Sequence, residues 1–409
     1  MAHYRPRYLE PWVRKMLGYS PIVGVFGHRQ VGKTSLVERL SGAYHTLDDK
    51  FARIAAAENP NAFLNGIVQG NKTVIIDECQ LVPELFPALK EFVRLHKKPG
   101  QFLLTGSVRF SSRKAIRESL TGRIVNITIP PLGSGEINQI ANPALLEKIM
   151  TGTVKESFSS FAGRIKANSS LVGSVVRYAG TGGLPGVCFI RDEGVRTSKF
   201  ESQLETILER DLRLIYETTL PYATLRRVLV ELAANVGEPL NISNIQRKTR
   251  VSANTLKKLL AAFNAMFLIE LIPATTSSAQ PTIYFVDSGE ACYLAGGRLS
   301  PGQILAQSIF SNITASCSSL WATNVGPIQF SCHRTRGGGD VPIVITSGKG
   351  ALGFLPWPSG MRFESVVAQT NSFMRVDGAK GVIVIPEHGT EVRLHHEFLL
   401  EVPYANLIQ

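Results

Sequence analysis

An α/β fold built on a parallel sheet is the architecture this sequence predicts, and three observations predict it. The apolar run Ile22-Val23-Gly24-Val25-Phe26 enters a glycine-bearing turn and then an amphipathic segment, Ser35 to Leu40. A second run, Thr73 to Ile76, ends in Asp77-Glu78. A third, Gln101 to Leu104, ends in Thr105-Gly106-Ser107. Parallel strands would deliver all three ends to one sheet edge, where ligands of such sheets sit. The 409 residues are enough for two or three domains of roughly 100–200 residues each.

Composition narrows the partners. The 44 Lys and Arg against 32 Asp and Glu leave a formal charge of +12, but only 19% of residues are charged. The excess is therefore dilute, favouring a polyanion partner without specifying one. Hydrophobic content of 44% excludes a disordered chain. Cys79, Cys188, Cys292, Cys317 and Cys332 lie far apart with no CxxC pair, as reduced thiols would. The polar, basic N-terminus lacks a leader-like apolar stretch, and no apolar run reaches roughly eighteen residues. A soluble, cytoplasmic protein with no membrane partner is expected.

The first turn carries the chemistry. Gly27, His28, Arg29, Gln30, Val31, Gly32, Lys33 and Thr34, followed by Ser35, have the spacing of a phosphate-binding loop between strand and helix. The glycines let successive backbone N–H groups face phosphate, Lys33 neutralises β/γ charge, and the Thr34 hydroxyl ligates Mg²⁺. ATP with Mg²⁺ is the expected ligand pair. Asp77 would hold the metal through water and Glu78 would polarise the attacking water, which points to hydrolysis. Ser107 either touches the γ-phosphate or its water, or simply forms a turn. Arg123 ends Ser119-Leu120-Thr121-Gly122-Arg123, ahead of a strand at Ile124 to Ile129 and a Pro130-Pro131-Leu132 stop. It reads equally as an arginine finger for a neighbouring copy, which would need a homo-oligomer, and as the partner of a local carboxylate.

Farther on, helical periodicity covers Tyr222 to Ala234. Ser243-Asn244-Ile245-Gln246 has the form of a capping box led by Ser243, and Ser252 can cap a helix over Ala253 to Met266. Strand-like runs at Phe267 to Ile272 and Thr282 to Val286 complete a winged helix-turn-helix pattern. In a major groove, Asn254, Thr255, Lys257 and Lys258 would face bases and phosphates of double-stranded DNA, with Arg247, Lys248 and Arg250 on the backbone. Otherwise the module is a lid whose lysines are merely solvated.

These motifs together resemble the prokaryotic AAA-type ATPases whose C-terminal module is related to restriction endonucleases. The resemblance rests on Gly27 to Thr34 with Arg29-Gln30, Leu47-Asp48-Asp49, Ile76-Asp77-Glu78-Cys79-Gln80, Leu104 to Ser107 and Leu120 to Arg123. It extends through Gly182-Gly183-Leu184-Pro185 and Glu209-Arg210-Asp211-Leu212. It implies a P-loop core over 1–135, a helical lid with the winged helix over 136–286, and an α/β nuclease-like domain over 287–409. Asp77 and Glu78 would be the metal-binding and water-activating acids, Arg123 would lie near the nucleotide, and Gly182 to Pro185 would belong to the lid.

The nuclease chemistry itself is expected to be lost. Ala306 stands where such relatives carry Glu, Pro342 replaces the second carboxylate after Asp340, and Ala351 to Leu355 contains neither Glu nor Lys. One Asp does not make a hard-cation site. Cys332-His333 reads as a core thiol beside an exposed imidazole. His395 and His396 would alternate faces in a strand. Arg334-Thr335-Arg336 reads as a basic loop touching phosphate or as a hairpin turn. The expected function is ATP binding and hydrolysis coupled to DNA or to a protein partner. The rival from another class is a nucleotide-gated binding switch with negligible turnover.

Overall fold

A computed structural model describes residues 4–40, 42–109, 120–140, 144–156, 176–275, 279–336, 338–389 and 391–404. The chain forms two compact units. One comprises Leu9–Pro130 with Ala265–Leu268; the other comprises Met1–Tyr8, Pro131–Asn264 and Ile269–Gln409.

The first unit holds β1 (Ile22–Phe26), β2 (Ala43–Thr46), β3 (Val74–Asp77), β4 (Phe102–Gly106) and β5 (Ile124–Thr128) in the order β2-β3-β4-β1-β5. Every pairing is parallel. β1, β3 and β4 are buried along their whole length, which is why they read as unbroken apolar runs rather than alternating ones. The Leu85–Leu95 helix buries Leu85, Phe86, Leu89 and Val93. Asp49 accepts from Ala52 N to cap the Lys50–Glu58 helix, giving part of the Leu47-Asp48-Asp49 motif a structural role. Because the strands run one way, the residues after Phe26, Ile76 and Gly106 emerge at the same edge.

The second unit contains helices Tyr222–Ala233, Ile242–Thr249 and Ala253–Ala265, then an antiparallel hairpin of β6 (Ile269–Ile272) and β7 (Thr282–Phe285). Ser252 Oγ accepts from Thr255 N at 3.2 Å, as its sequence position implied. The preceding cap differs. Asn241, in extended backbone, accepts from Asn244 N at 2.9 Å, so Ser243 falls inside the helix and heads no capping box. The outgoing hairpin strand continues onto the C-terminal sheet, where Cys332 N donates to Pro273 O (2.9 Å) and Thr275 N donates to Cys332 O (2.8 Å).

That sheet is mixed. β8 (Gln329–Arg334), β9 (Asp340–Ser347), β10 (Gly350–Trp357), β11 (Ala379–Pro386), β12 (Arg393–His396) and β13 (Leu399–Glu401) lie in the order β12-β13-β11-β10-β9-β8. Alternation explains its two covered faces. Ile343, Ile345, Leu352, Phe354, Ile383 and Ile385 pack with Ile309, Phe310 and Ile313 of the Pro301–Leu320 helix. Val344, Leu355, Val382 and Val384 pack with Val366 and Phe373 of the Phe363–Phe373 helix. Pro342 is tolerated mid-strand because it falls where the β8–β9 register is broken between Ser331 and His333.

Two local expectations change here. The His333 imidazole is not exposed: the residue is 5% accessible and its Nε2 shares a hydrogen bond with Ser372 Oγ at 3.0 Å. Burial pushes its pKa down, favouring the neutral ring. Arg334 is tied to Asp340, its Nη2 lying 3.2 Å from each carboxylate oxygen, so it belongs to a hairpin rather than a free basic loop.

Gly182 and Gly183 have a packing explanation. Gly182 has φ +68°, and a Cβ there would strike the Asp287 carboxylate; a Cβ on Gly183 would strike the Leu132 carbonyl. Asp287 is fully buried and accepts from Gly183 N (2.7 Å) and Glu290 N (2.9 Å). The two glycines and the start of the Ser288–Ala295 helix thus close around one carboxylate.

Candidate nucleotide site

The loop after β1 is shaped by backbone demands. Gly27 must lack a side chain, because a Cβ would sit 2.5 Å from Ile129 O. Gln30 (φ +60°) and Gly32 (φ +94°) are left-handed, turning the chain into the helix that begins at Lys33. Val31 is buried, while Gln30 and Ser35 are exposed. His28 is buried, with Nδ1 2.7 Å from Arg29 O. The Lys33 ammonium folds back on the loop, donating to Gly27 O (3.2 Å) and His28 O (3.0 Å).

Asp77 collects donors. Thr34 Oγ1 (2.9 Å) and Tyr44 OH (2.6 Å) both donate to its Oδ2. Thr105 Oγ1 and Glu78 N (3.1 Å) donate to Oδ1. Asp77 is 4% exposed, yet all four of these donors are neutral. Burial, then the bond to Asp77, push the Tyr44 phenol pKa up, so it remains a protonated donor.

Glu78 sits beside this cluster with φ +55°. Gln80 Nε2 donates to Glu78 Oε2 and to Ser107 Oγ (3.2 Å), and Ser107 Oγ lies 3.5 Å from the same Glu78 oxygen. Thus Thr34, Asp77, Glu78 and Ser107, predicted from three separate segments, meet at one edge. Burial and the two adjacent carboxylates push the Cys79 thiol pKa up, so it stays protonated.

Arg123 is not brought there. It precedes Ile124, which registers with Ile22 at the start of β1, whereas the phosphate loop follows Phe26 at its end. Four residues of strand separate the two levels, about 13 Å at roughly 3.3 Å per residue. Its implied nearness to the nucleotide therefore fails within one chain. Its Nη1 instead donates to Thr121 O at 3.4 Å.

Tyr44, Thr105 and Gln80 were missed as site residues. Thr105 was visible in its motif, but only the β3–β4 register, with Ile76 beside Leu104, shows that it faces Asp77. Tyr44 carries no local signal.

The donor set suits Mg²⁺. A hydroxyl and a carboxylate oxygen 2.9 Å apart are hard ligands of the kind this ion takes while retaining water and phosphate oxygens. Thr34 and Asp77 would hold it, and bound metal would neutralise phosphate charge.

Comparison with known proteins agrees with this geometry. Residues 19–138 match the AAA domain family. That match spans the five parallel strands and the loops that carry the site. Residues 173–300 match a domain of unknown function. Uncharacterized proteins of Mycobacterium bovis and Mycobacterium tuberculosis are each 28% identical over 287 residues, 68% of this chain and 56% of theirs. The match thus spans little more than half the length of these curated relatives. Among solved structures, the chain is similar to a Walker-type ATPase of Pyrococcus abyssi at 16% identity and TM-score 0.39, over 70% of this chain and 94% of that one. It is also similar to RuvB of Thermotoga maritima at 15% identity and TM-score 0.29, over 65% and 94%.

On the Ala253–Ala265 helix, Asn254, Lys257 and Lys258 are exposed at helical spacing, and Thr255 is half-buried with its hydroxyl 2.8 Å from Ser252 Oγ. Lys248 is engaged elsewhere: it pairs with Glu231 at 2.9 Å, and Arg298 pairs with the same carboxylate at 3.1 Å. Among the described residues no helix is long and apolar enough to cross a membrane, and no group of three or more His, Cys, Asp or Glu could hold a metal ion.

Proposed function

We propose that this chain binds ATP with Mg²⁺ at Gly27 to Ser35 and hydrolyses it, using the nucleotide state to control binding of DNA or of a protein. The observation that carries the reading is the 2.9 Å contact between Thr34 and Asp77, with Glu78 next in sequence and hydrogen-bonded to Gln80. Lys33 would leave the loop carbonyls for phosphate oxygens. Glu78 would accept a proton from the attacking water, with Ser107 orienting that water or the γ-phosphate. Arg123, at the far end of the sheet, would act only on the nucleotide of another copy.

Double-stranded DNA is the partner favoured by the exposed Asn254, Lys257 and Lys258 at the start of one helix, with Thr255 beside them. Changing both lysines to Ala should flatten the salt dependence of DNA binding by up to about two units. The C-terminal sheet is a docking element rather than a nuclease, because Asp340 is already paired with Arg334. Plasmid cutting with Mg²⁺ or Mn²⁺ that vanished in Asp340→Ala would overturn that reading.

The central experiment is steady-state ATP hydrolysis by the wild type and Glu78→Gln, each with and without duplex DNA. Turnover stimulated by DNA and removed by Glu78→Gln, with ATP affinity retained, is the expected result. Turnover indifferent to DNA would transfer the coupling to a protein partner. Tight ATP binding with no turnover would favour the nucleotide-gated switch.

A further inference from the structure

Within the second compact unit lies a cavity of about 840 Å³ whose lining includes Arg5, Arg177, Arg191 and Arg196. No acidic side chain is among the described lining residues. We propose that this cavity binds a small polyphosphorylated anion through these four guanidinium groups.

Two of the arginines are held in place by backbone. Arg5 donates from Nε to Ile137 O (2.7 Å) and from Nη1 to Tyr4 O (3.2 Å), and it lies over the Phe189 ring at 5.0 Å. Arg196 Nη1 donates to Ile190 O (3.0 Å) and Arg191 O (2.8 Å). Carbonyls fix a guanidinium without cancelling its charge, and the Nη2 of each remains available. Arg177 and Arg191 are exposed, and their side chains make no hydrogen bond or ion pair with the described residues.

Tyr178 and Phe189 add ring-bearing residues to the lining. The cavity volume falls within the roughly 300–1,000 Å³ of small-ligand sites. Planar guanidinium forks are the side chains best matched to phosphate oxygens. A ligand with several phosphates engages several forks at once; a single phosphate engages one or two.

This assignment is independent of the ATPase reading, because none of the described lining residues belongs to the unit that carries the phosphate loop. The test is calorimetric titration of the full chain with inorganic tripolyphosphate in a Lys33→Ala background, which weakens the phosphate loop. Binding should persist in Lys33→Ala and weaken at least about tenfold when Arg177→Ala and Arg191→Ala are added, two exposed positions whose loss leaves the fold intact. Loss of binding with Lys33→Ala alone, or no change with the added arginine substitutions, would overturn the proposal. So would arginine-dependent binding of a short DNA duplex by a protein that ignores tripolyphosphate, which would assign the cavity to nucleic-acid phosphate.

Discussion

Asp77 and Asp340 each stand at the end of a sheet strand, and their neighbours give them opposite prospects. Asp77 ends β3 and is held by Thr34, Thr105, Tyr44 and the backbone of Glu78, every one a neutral donor. Asp340 begins β9 and faces Arg334 across the sheet, with both carboxylate oxygens taken by one guanidinium. A neutral donor can turn aside when a cation arrives; a resident cation already neutralises the charge that would attract one. Whether a carboxylate is poised for metal is therefore decided by the charge of its hydrogen-bond donors, not by its burial.

The sharpest way to break this contrast is Asp77→Asn, which should lower ATP turnover by about 10²–10³-fold, read by phosphate release. Arg334→Ala comes next: it should cost about 1 kcal/mol in urea unfolding at pH 7, the modest value of a half-exposed pair. Burial raises the Asp340 pKa, while Arg334 pulls it the other way. A raised folded-state pKa makes this group's contribution most favourable below its unfolded value of about 3.9, and that contribution is lost as pH rises through the folded value. Removing Arg334 deepens the loss, so the deficit should shrink when unfolding is repeated near pH 4.

Tyr44→Phe should lower the Mg²⁺ concentration for half-maximal turnover by about two- to fivefold, since it frees an Asp77 oxygen of one competing donor. A rise instead would make Tyr44 a support for Asp77. The smallest effect belongs to Asp340→Asn, which should leave ATP turnover within about twofold of wild type. A larger loss would erase the distinction between the two carboxylates.

How far these features were legible depended on their range. Gly27 to Thr34 and the strand ending in Asp77 are local patterns, and the parallel core followed from them. The meeting of Ser107 with Glu78 needed only the rule that parallel strands share an edge. The contacts of Thr105 and Tyr44 with Asp77 required strand order and register, which no single segment encodes. Arg123 was misplaced for a related reason: its motif marks the entry to β5, and entry lies opposite exit in a parallel sheet. Gly182 and Gly183 read as punctuation because their cause, Asp287, stands more than a hundred residues away. The Asn241 cap was missed because Ser243 offered an equally good capping sequence two residues on.

The bridge between the hairpin and β8 has a consequence for solubility. β8 is an edge strand, and an open edge offers N–H and C=O groups as a template for another chain. Here Cys332 spends both its backbone groups on Pro273 and Thr275, so a tail of the hairpin occupies the middle of that edge. The segment Pro273 to Thr275 is thus a cap against strand addition. At the other edge, Arg393, His395 and His396 supply the polar, partly charged rim that discourages the same event.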